Sequence, residues 1–118
     1  MTNSTAHVIR VAEHGDVSVL QPATVPRPSP TPTQVLVKVA FAGVNYVDVA
    51  ERVGKFPTPA PFIPGREGSG EIIEVGAEIR GFKVGDRVAF LGQSIYSDYA
   101  AVDTTHLAKL PDNMSLET

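Results

Sequence analysis

Gly65-Arg66-Glu67-Gly68-Ser69-Gly70-Glu71-Ile72-Ile73-Glu74-Val75-Gly76 is the stretch on which the fold turns. Three glycines fall within its first six residues, an apolar β-branched run follows, and a fourth glycine closes it. The spacing Gly65-x-x-Gly68-x-Gly70 is not the Gly-x-Gly-x-x-Gly order of a dinucleotide-binding turn, and it leads into a strand pattern rather than a helix. A phosphate loop is therefore not expected here. Gly68 and Gly70, like Gly85 before Asp86, are read as sharp turns between strands, where a positive φ costs glycine nothing.

On either side the pattern is mostly strand. Gln34 to Ala42 alternates, with Val35, Val37, Val39 and Phe41 expected on one face and Lys38 on the other. Short apolar runs at His7 to Val11, Val17 to Leu20, Glu71 to Val75, Arg87 to Leu91 and Tyr96 to Val102 continue the series, and glycines punctuate it. Of ten prolines, five lie in 22–32 and four in 57–64. Proline lacks an N–H and has a fixed φ, so these stretches are expected to be extended or turning connections rather than helix or interior strand. The first also has the composition of an SH3-type ligand, against the plainer reading of a stiff surface crossing. One interior helix is predicted, over about residues 46–53. Asn45 is its N-cap, Asp48 stands three residues on as in a capping box, Val49 and Val53 are one turn apart, and Gly54 supplies the stop.

A chain of 118 residues fits one domain. It has no cysteine, which excludes cysteine-built zinc sites, redox pairs and thiol nucleophiles. No apolar run approaches a membrane span, and the polar start Met1-Thr2-Asn3-Ser4-Thr5 is not a signal peptide. The net charge of −3 and pI near 5.5 argue against nucleic-acid binding. The expectation is a soluble, cytoplasmic protein. At the end, Ser115-Leu116-Glu117-Thr118 reads as the cap and first residues of a helix. Three residues after a cap cannot sustain a helix, so something is expected to be missing at this end.

Together the Gly65–Gly76 stretch, Phe82-Lys83-Val84-Gly85-Asp86-Arg87-Val88 and Ala42-Gly43-Val44-Asn45-Tyr46-Val47-Asp48 resemble the medium-chain dehydrogenases/reductases. Within them the chain is similar to the zinc-free quinone oxidoreductase branch, the zeta-crystallin group, and its Asn45-Tyr46, Gly65-Arg66-Glu67 and Lys109-Leu110-Pro111 look most like fungal-type NADPH:quinone reductases. The resemblance runs from about Val8 to Ser115. It implies a mainly β, GroES-like irregular barrel, the substrate-side domain, over 1–114, with 115–118 the start of a helix leading into a partner absent from this chain, a Rossmann domain that holds most of the NADPH.

The resemblance also implies a reaction: hydride passes from NADPH to a quinone or conjugated carbonyl in the longer protein, with the 118-residue chain inactive alone. Alcohol dehydrogenases of the superfamily place zinc ligands where this chain has Asn45 and Arg66. Asparagine is a poor ligand and arginine a permanent cation, and His7, His14 and His106 lack ligand spacing, so no zinc is expected. Asn45 is the candidate for the nicotinamide or the substrate carbonyl, or is a plain helix cap. Tyr46 is a candidate catalytic wall or donor, or a core residue. Asp48 is a candidate cofactor contact, or simply the third residue of the cap. Phe56, Ser94 and Tyr96 are the candidate substrate-side residues, with a hairpin turn as the simpler account of Gln93–Ser97. Many bacterial relatives carry tyrosines where this chain has Ala50 and Phe56, which implies a slot wider at Ala50 and without a hydroxyl at Phe56. A homodimer is expected of the longer protein only. An enoyl reductase of the same superfamily and a non-catalytic GroES-like binding or regulatory module are the alternative readings.

Overall fold

Gln34–Ala42 (β3) is the central strand, and two bulges decide what it carries. In the computed structural model, which describes residues 5–56 and 58–117, β3 pairs antiparallel with Glu67–Val75 (β4) and with Tyr99–Asp103 (β6). Arg87–Leu91 (β5) extends the sheet beyond β4, and the short Leu107–Lys109 (β7) closes it, in the order β6-β3-β4-β5-β7. The first bulge lies opposite Leu36/Val37, where Ile73 has no partner, and the second at Ala40, between Val39 and Phe41. Each extra residue bends its strand and increases the local twist, so the sheet curls. The mainly β, GroES-like architecture expected from the sequence is the one found.

Val35 and Val37 sit fully buried in the core with Ile72, Val88, Phe90, Ile95, Ala100 and Val102, and Val39, Ile79, Phe82 and Leu107 pack against it. The bulge at Ala40 reverses the alternation. Val39 pairs with Gly70 but Phe41 pairs with Ser69, the next residue along β4, so the two point to opposite faces. Phe41 is thus turned out of the core and left 48% exposed, contrary to the alternation read from sequence.

Gly68 and Gly70 also differ from expectation. They lie inside β4, which begins at Glu67, and neither has a positive φ. Their role is close approach: a Cβ at Gly68 would lie 2.6 Å from the Phe41 carbonyl oxygen, and one at Gly70 would fall on the Lys38 carbonyl. Positive φ falls instead at Gly54 (φ 90), Gly65 (φ 108), Gly81 (φ 85) and, as expected, Gly85 (φ 97).

Thr5–Val11 (β1) and Leu20–Pro26 (β2) form a separate two-stranded antiparallel sheet. Val17–Val19 is a 3-10 turn rather than strand, because Asp16 accepts from the Ser18 N–H (2.9 Å) and diverts the chain locally. The first half of the proline-rich stretch is therefore a strand after all, and an edge strand is where proline is tolerated. Residues 96–98 divide their backbone bonds, with Ile9 N–H to Tyr96 O (2.9 Å) and Asp98 N–H to His7 O (3.0 Å) tying them to β1 and Ser97 N–H turning back to Ile95 O (2.7 Å), and β6 starts only at Tyr99. Of the second proline cluster, Pro57 lies outside the described residues. Phe62 bridges to Val11.

Tyr46–Val53 (α1) has the expected bounds, with Gly54 in the left-handed conformation at its C-terminus. At the other end of the chain, residues 116–117 form a turn, and Thr118 lies outside the described residues. That terminal segment lies against the outer face of the sheet: Ser69 Oγ donates to the Leu116 carbonyl and the Arg87 guanidinium to those of Met114 and Pro111.

Candidate functional site

Three connections meet at one end of the sheet. Gly43 N–H donates to Glu67 O (3.0 Å), Gly92 N–H to Arg66 O (2.9 Å) and Tyr96 N–H to Pro64 O (2.9 Å). The start of α1, the residues before β4 and the 92–97 loop are thereby held together by backbone bonds. Ile95 anchors the last of these by burying its side chain in the core. Ser94 beside it is a non-glycine residue in the left-handed region, φ 61.

The helix itself is inverted relative to its hydrophobic pattern. Val49 and Val53, the apolar pair one turn apart, are exposed, whereas the buried residues of α1 are Asp48 and Glu51. A carboxylate is tolerated inside when donors meet it, and both have them. Asp48, 4% exposed, accepts from the Asn45 backbone N–H (2.9 Å) and from the Tyr96 hydroxyl (3.2 Å), both on Oδ2. Its Oδ1 is buried without a hydrogen-bond partner among the described residues. Glu51 accepts from the Thr58 hydroxyl and from Arg66, whose Nη2 stands 3.2 Å from Oε2 and whose Nε is 3.4 Å from Oε1. Burial, and then the Asp48 charge, push the Tyr96 hydroxyl up to about 12, so at neutral pH it is a fixed donor.

The structure therefore sorts the sequence candidates into two adjoining groups. Asn45, Asp48 and Tyr96 form one network. Asp48 is the third residue of the cap and in addition the acceptor for Tyr96, which the turn reading of residues 93–97 did not foresee. Asn45 occupies the N-cap, half-buried, with extended backbone. Phe56 and Ser94 line a second feature, a cavity of about 290 Å³ shared with Arg66, Glu51, Thr58 and Gln93. Tyr46 joins neither group; it is 77% exposed, so its reading as a core residue falls. Glu51 and the Arg66 ion pair were missed. The available signal was an acidic residue three positions after Asp48, on the same helix face, with an arginine lodged in a glycine-rich turn.

Around this end the surface is apolar. Phe41, Val44, Tyr46 and Leu91 are exposed, and a groove of about 730 Å³ runs along the outer face of β3–β4–β5 under the terminal segment.

A curled, mainly β domain with one capped helix has the architecture of a GroES-like domain. Residues 31–112 match the alcohol dehydrogenase GroES-like domain family, and the chain belongs to that family, within the medium-chain dehydrogenases/reductases. A probable quinone oxidoreductase of Schizosaccharomyces pombe is 38% identical over 112 residues, covering 93% of this chain and 34% of that protein. The crystal structure of the quinone oxidoreductase of Pseudomonas syringae pv. Tomato DC3000 superposes with a TM-score of 0.89 at 35% identity, over 95% of this chain and 35% of the other. The Escherichia coli quinone oxidoreductase complexed with NADPH superposes at 0.86 with 29% identity, over 94% and 35%. The chain thus spans about a third of the length of the relatives it matches. Among the described residues no helix is long and apolar enough to cross a membrane.

Proposed function

We propose that this chain is the substrate-side domain of a zinc-independent, NADPH-dependent reductase of quinones or conjugated carbonyls. The observation that carries the reading is the convergence of the α1 cap, the residues before β4 and the 92–97 loop, which sets the Asn45–Asp48–Tyr96 network beside an exposed apolar rim. A hydride-transfer site needs an apolar slot with a few fixed polar groups, and no nucleophile or base triad.

The residues fit one end of NADPH and not the other. Gly68 and Gly70 press against β3 carbonyls, so they offer no phosphate cradle. The amide of Asn45, at the positive end of α1, suits the nicotinamide carboxamide, and Asp48 Oδ1 is an acceptor unmet among the described residues. When bound, the cofactor supplies the hydride; the chain supplies orientation and exclusion of water. Zinc does not fit the two positions where the superfamily binds it, since Asn45 is a poor ligand and Arg66 is a cation already committed to Glu51. The apolar rim of Phe41, Val44, Tyr46 and Leu91 suits contact with a nucleotide-binding domain that would hold the rest of the dinucleotide.

Two measurements test this. NADPH fluorescence titrated with the chain is expected to show no tight complex and no turnover of tetramethyl-1,4-benzoquinone; micromolar affinity would contradict a substrate-side half. In amide-resolved NMR the same quinone is expected to shift residues 43–48 and 92–97, and a quinone that leaves both segments unmoved refutes the acceptor assignment.

A further inference from the structure

The 290 Å³ cavity is lined by the apolar Phe56, Phe62 and Ile63 and by the polar Arg66, Gln93 and Ser94. Its distinctive group is Arg66. Of the five N–H groups of that guanidinium, the Nε–H donates to Glu51 Oε1 (3.4 Å), and Nη2 forms an ion pair with Oε2 (3.2 Å) of the same carboxylate, which is 6% exposed and also takes the Thr58 hydroxyl. The remaining N–H groups have no protein acceptor among the described residues, and the side chain keeps 38% of its surface exposed. The guanidinium carbon stands 5.1 Å from the centre of the Phe56 ring.

A planar cation is thus fixed by a buried carboxylate, with donors to spare and an aromatic ring alongside. Because Glu51 balances the charge, the site offers little net attraction to a phosphate or other free anion. It suits a neutral planar molecule whose oxygen accepts from the spare N–H groups while its ring packs on Phe56. We propose that this cavity is the acceptor subsite, taking a small α,β-unsaturated ketone or quinone with its carbonyl oxygen on Arg66. The assignment rests on the reductase reading above, and it gives Arg66 a role separate from that of Asn45, Asp48 and Tyr96.

The test titrates the isotope-labelled chain with cyclohex-2-enone while following the Arg66 Nε–H signal and the Gln93 and Ser94 amides. Saturable shifts at all three are expected. Cyclohexene, the ring without its carbonyl, should bind more weakly. The double variant Glu51→Gln/Arg66→Gln removes both charges together, so no buried carboxylate is stranded, and it should weaken enone binding about tenfold, the order for a hydrogen bond to a charged group. If that variant fails to fold, Arg66→Lys, which keeps the charge but not the planar fork, should weaken binding to a smaller degree. Shifts that saturate at residues 43–48 but spare Arg66, or enone affinity unchanged in the variants, overturn the subsite and leave the reductase reading standing. Inorganic phosphate moving the Arg66 signal at lower concentration than the enone would make it an anion site instead, and also overturns the proposal. No saturable shift anywhere removes the subsite and the acceptor reading together.

Discussion

Replacing Gly70 by alanine should unfold this domain more readily than its chemistry suggests, because one methyl group has no room. A Cβ there would fall on the Lys38 carbonyl oxygen, 3.0 Å from its carbonyl carbon and 2.8 Å from Val37 Cγ1. Carbon–carbon contacts rest at about 3.5–4.0 Å, so β3 and β4 would have to part by about 1 Å at the centre of the sheet. Two of the three obstacles are backbone atoms, which cannot rotate away. Overpacking of a filled core costs about 1–3 kcal/mol, and a site closed by backbone belongs at the upper end, about 3 kcal/mol. For a domain of this size that is about 12 °C in Tm. Circular dichroism melting and urea titration measure it. Gly92→Ala is the control: its Cβ meets only the Ile95 Cδ1 atom, at 3.3 Å, and its φ is not positive, so it should cost under about 1 kcal/mol. The close-approach account fails if Gly70→Ala melts within a degree or two of the parent, or if Gly92→Ala is equally costly.

Other outcomes follow from the same geometry. Of the three tyrosines, one should titrate near pH 12 in ultraviolet absorbance, and Asp48→Asn should bring it down by removing the neighbouring charge. Since folding raises the Tyr96 pKa, its stabilisation is full below pH 10 and is lost as pH rises through about 12; a profile unchanged by Asp48→Asn would count against the Tyr96–Asp48 bond. Ile95→Ala should cost about 3 kcal/mol in urea unfolding and should loosen amide protection across residues 92–97, since this side chain anchors that loop; protection left intact would refute the anchoring role. Asp86 is held below the usual carboxylate range chiefly by its hydrogen bond from Lys83, with Lys109 nearby. Its contribution is therefore present above about pH 4 and fades as the pH falls through its lowered folded-state value. Asp86→Asn should flatten the acid limb of the Tm–pH curve, and an unchanged limb would show that the pair contributes nothing.

Much of the architecture was legible in local pattern. Asn45, Asp48 and Gly54 mark both ends of α1 because caps are local chemistry, decided by residues within one turn of each other. The strands β3 and β5 stood out because their β-branched and aromatic runs suit a pleated surface. The candidate site was legible only as separate pieces. Asp48 and Tyr96 are far apart in the chain, as are Glu51 and Arg66, and no spacing rule links either pair. The valines of α1 marked the helix but not its buried face, because the apolar stripe reports the burial of a helix only when nothing better is offered inside. Here the interior side offers a tyrosine hydroxyl, a threonine hydroxyl and a guanidinium, so the carboxylates turn inward.

Composition, caps and strand pattern by themselves determined that this is a β domain with one helix, and its motifs marked the branch of reductases it resembles. Tertiary structure alone decided which way the side chains face. A single bulge at Ala40 sends Phe41 out of the core, the unbroken run of β4 makes close-packing residues of Gly68 and Gly70, and the meeting of three connections turns a cap residue, a loop tyrosine and a glycine-motif arginine into neighbours. The physical reason is range: caps and strand propensities act over a few residues, whereas bulges, backbone approach and buried ion pairs exist only once distant strands are in register.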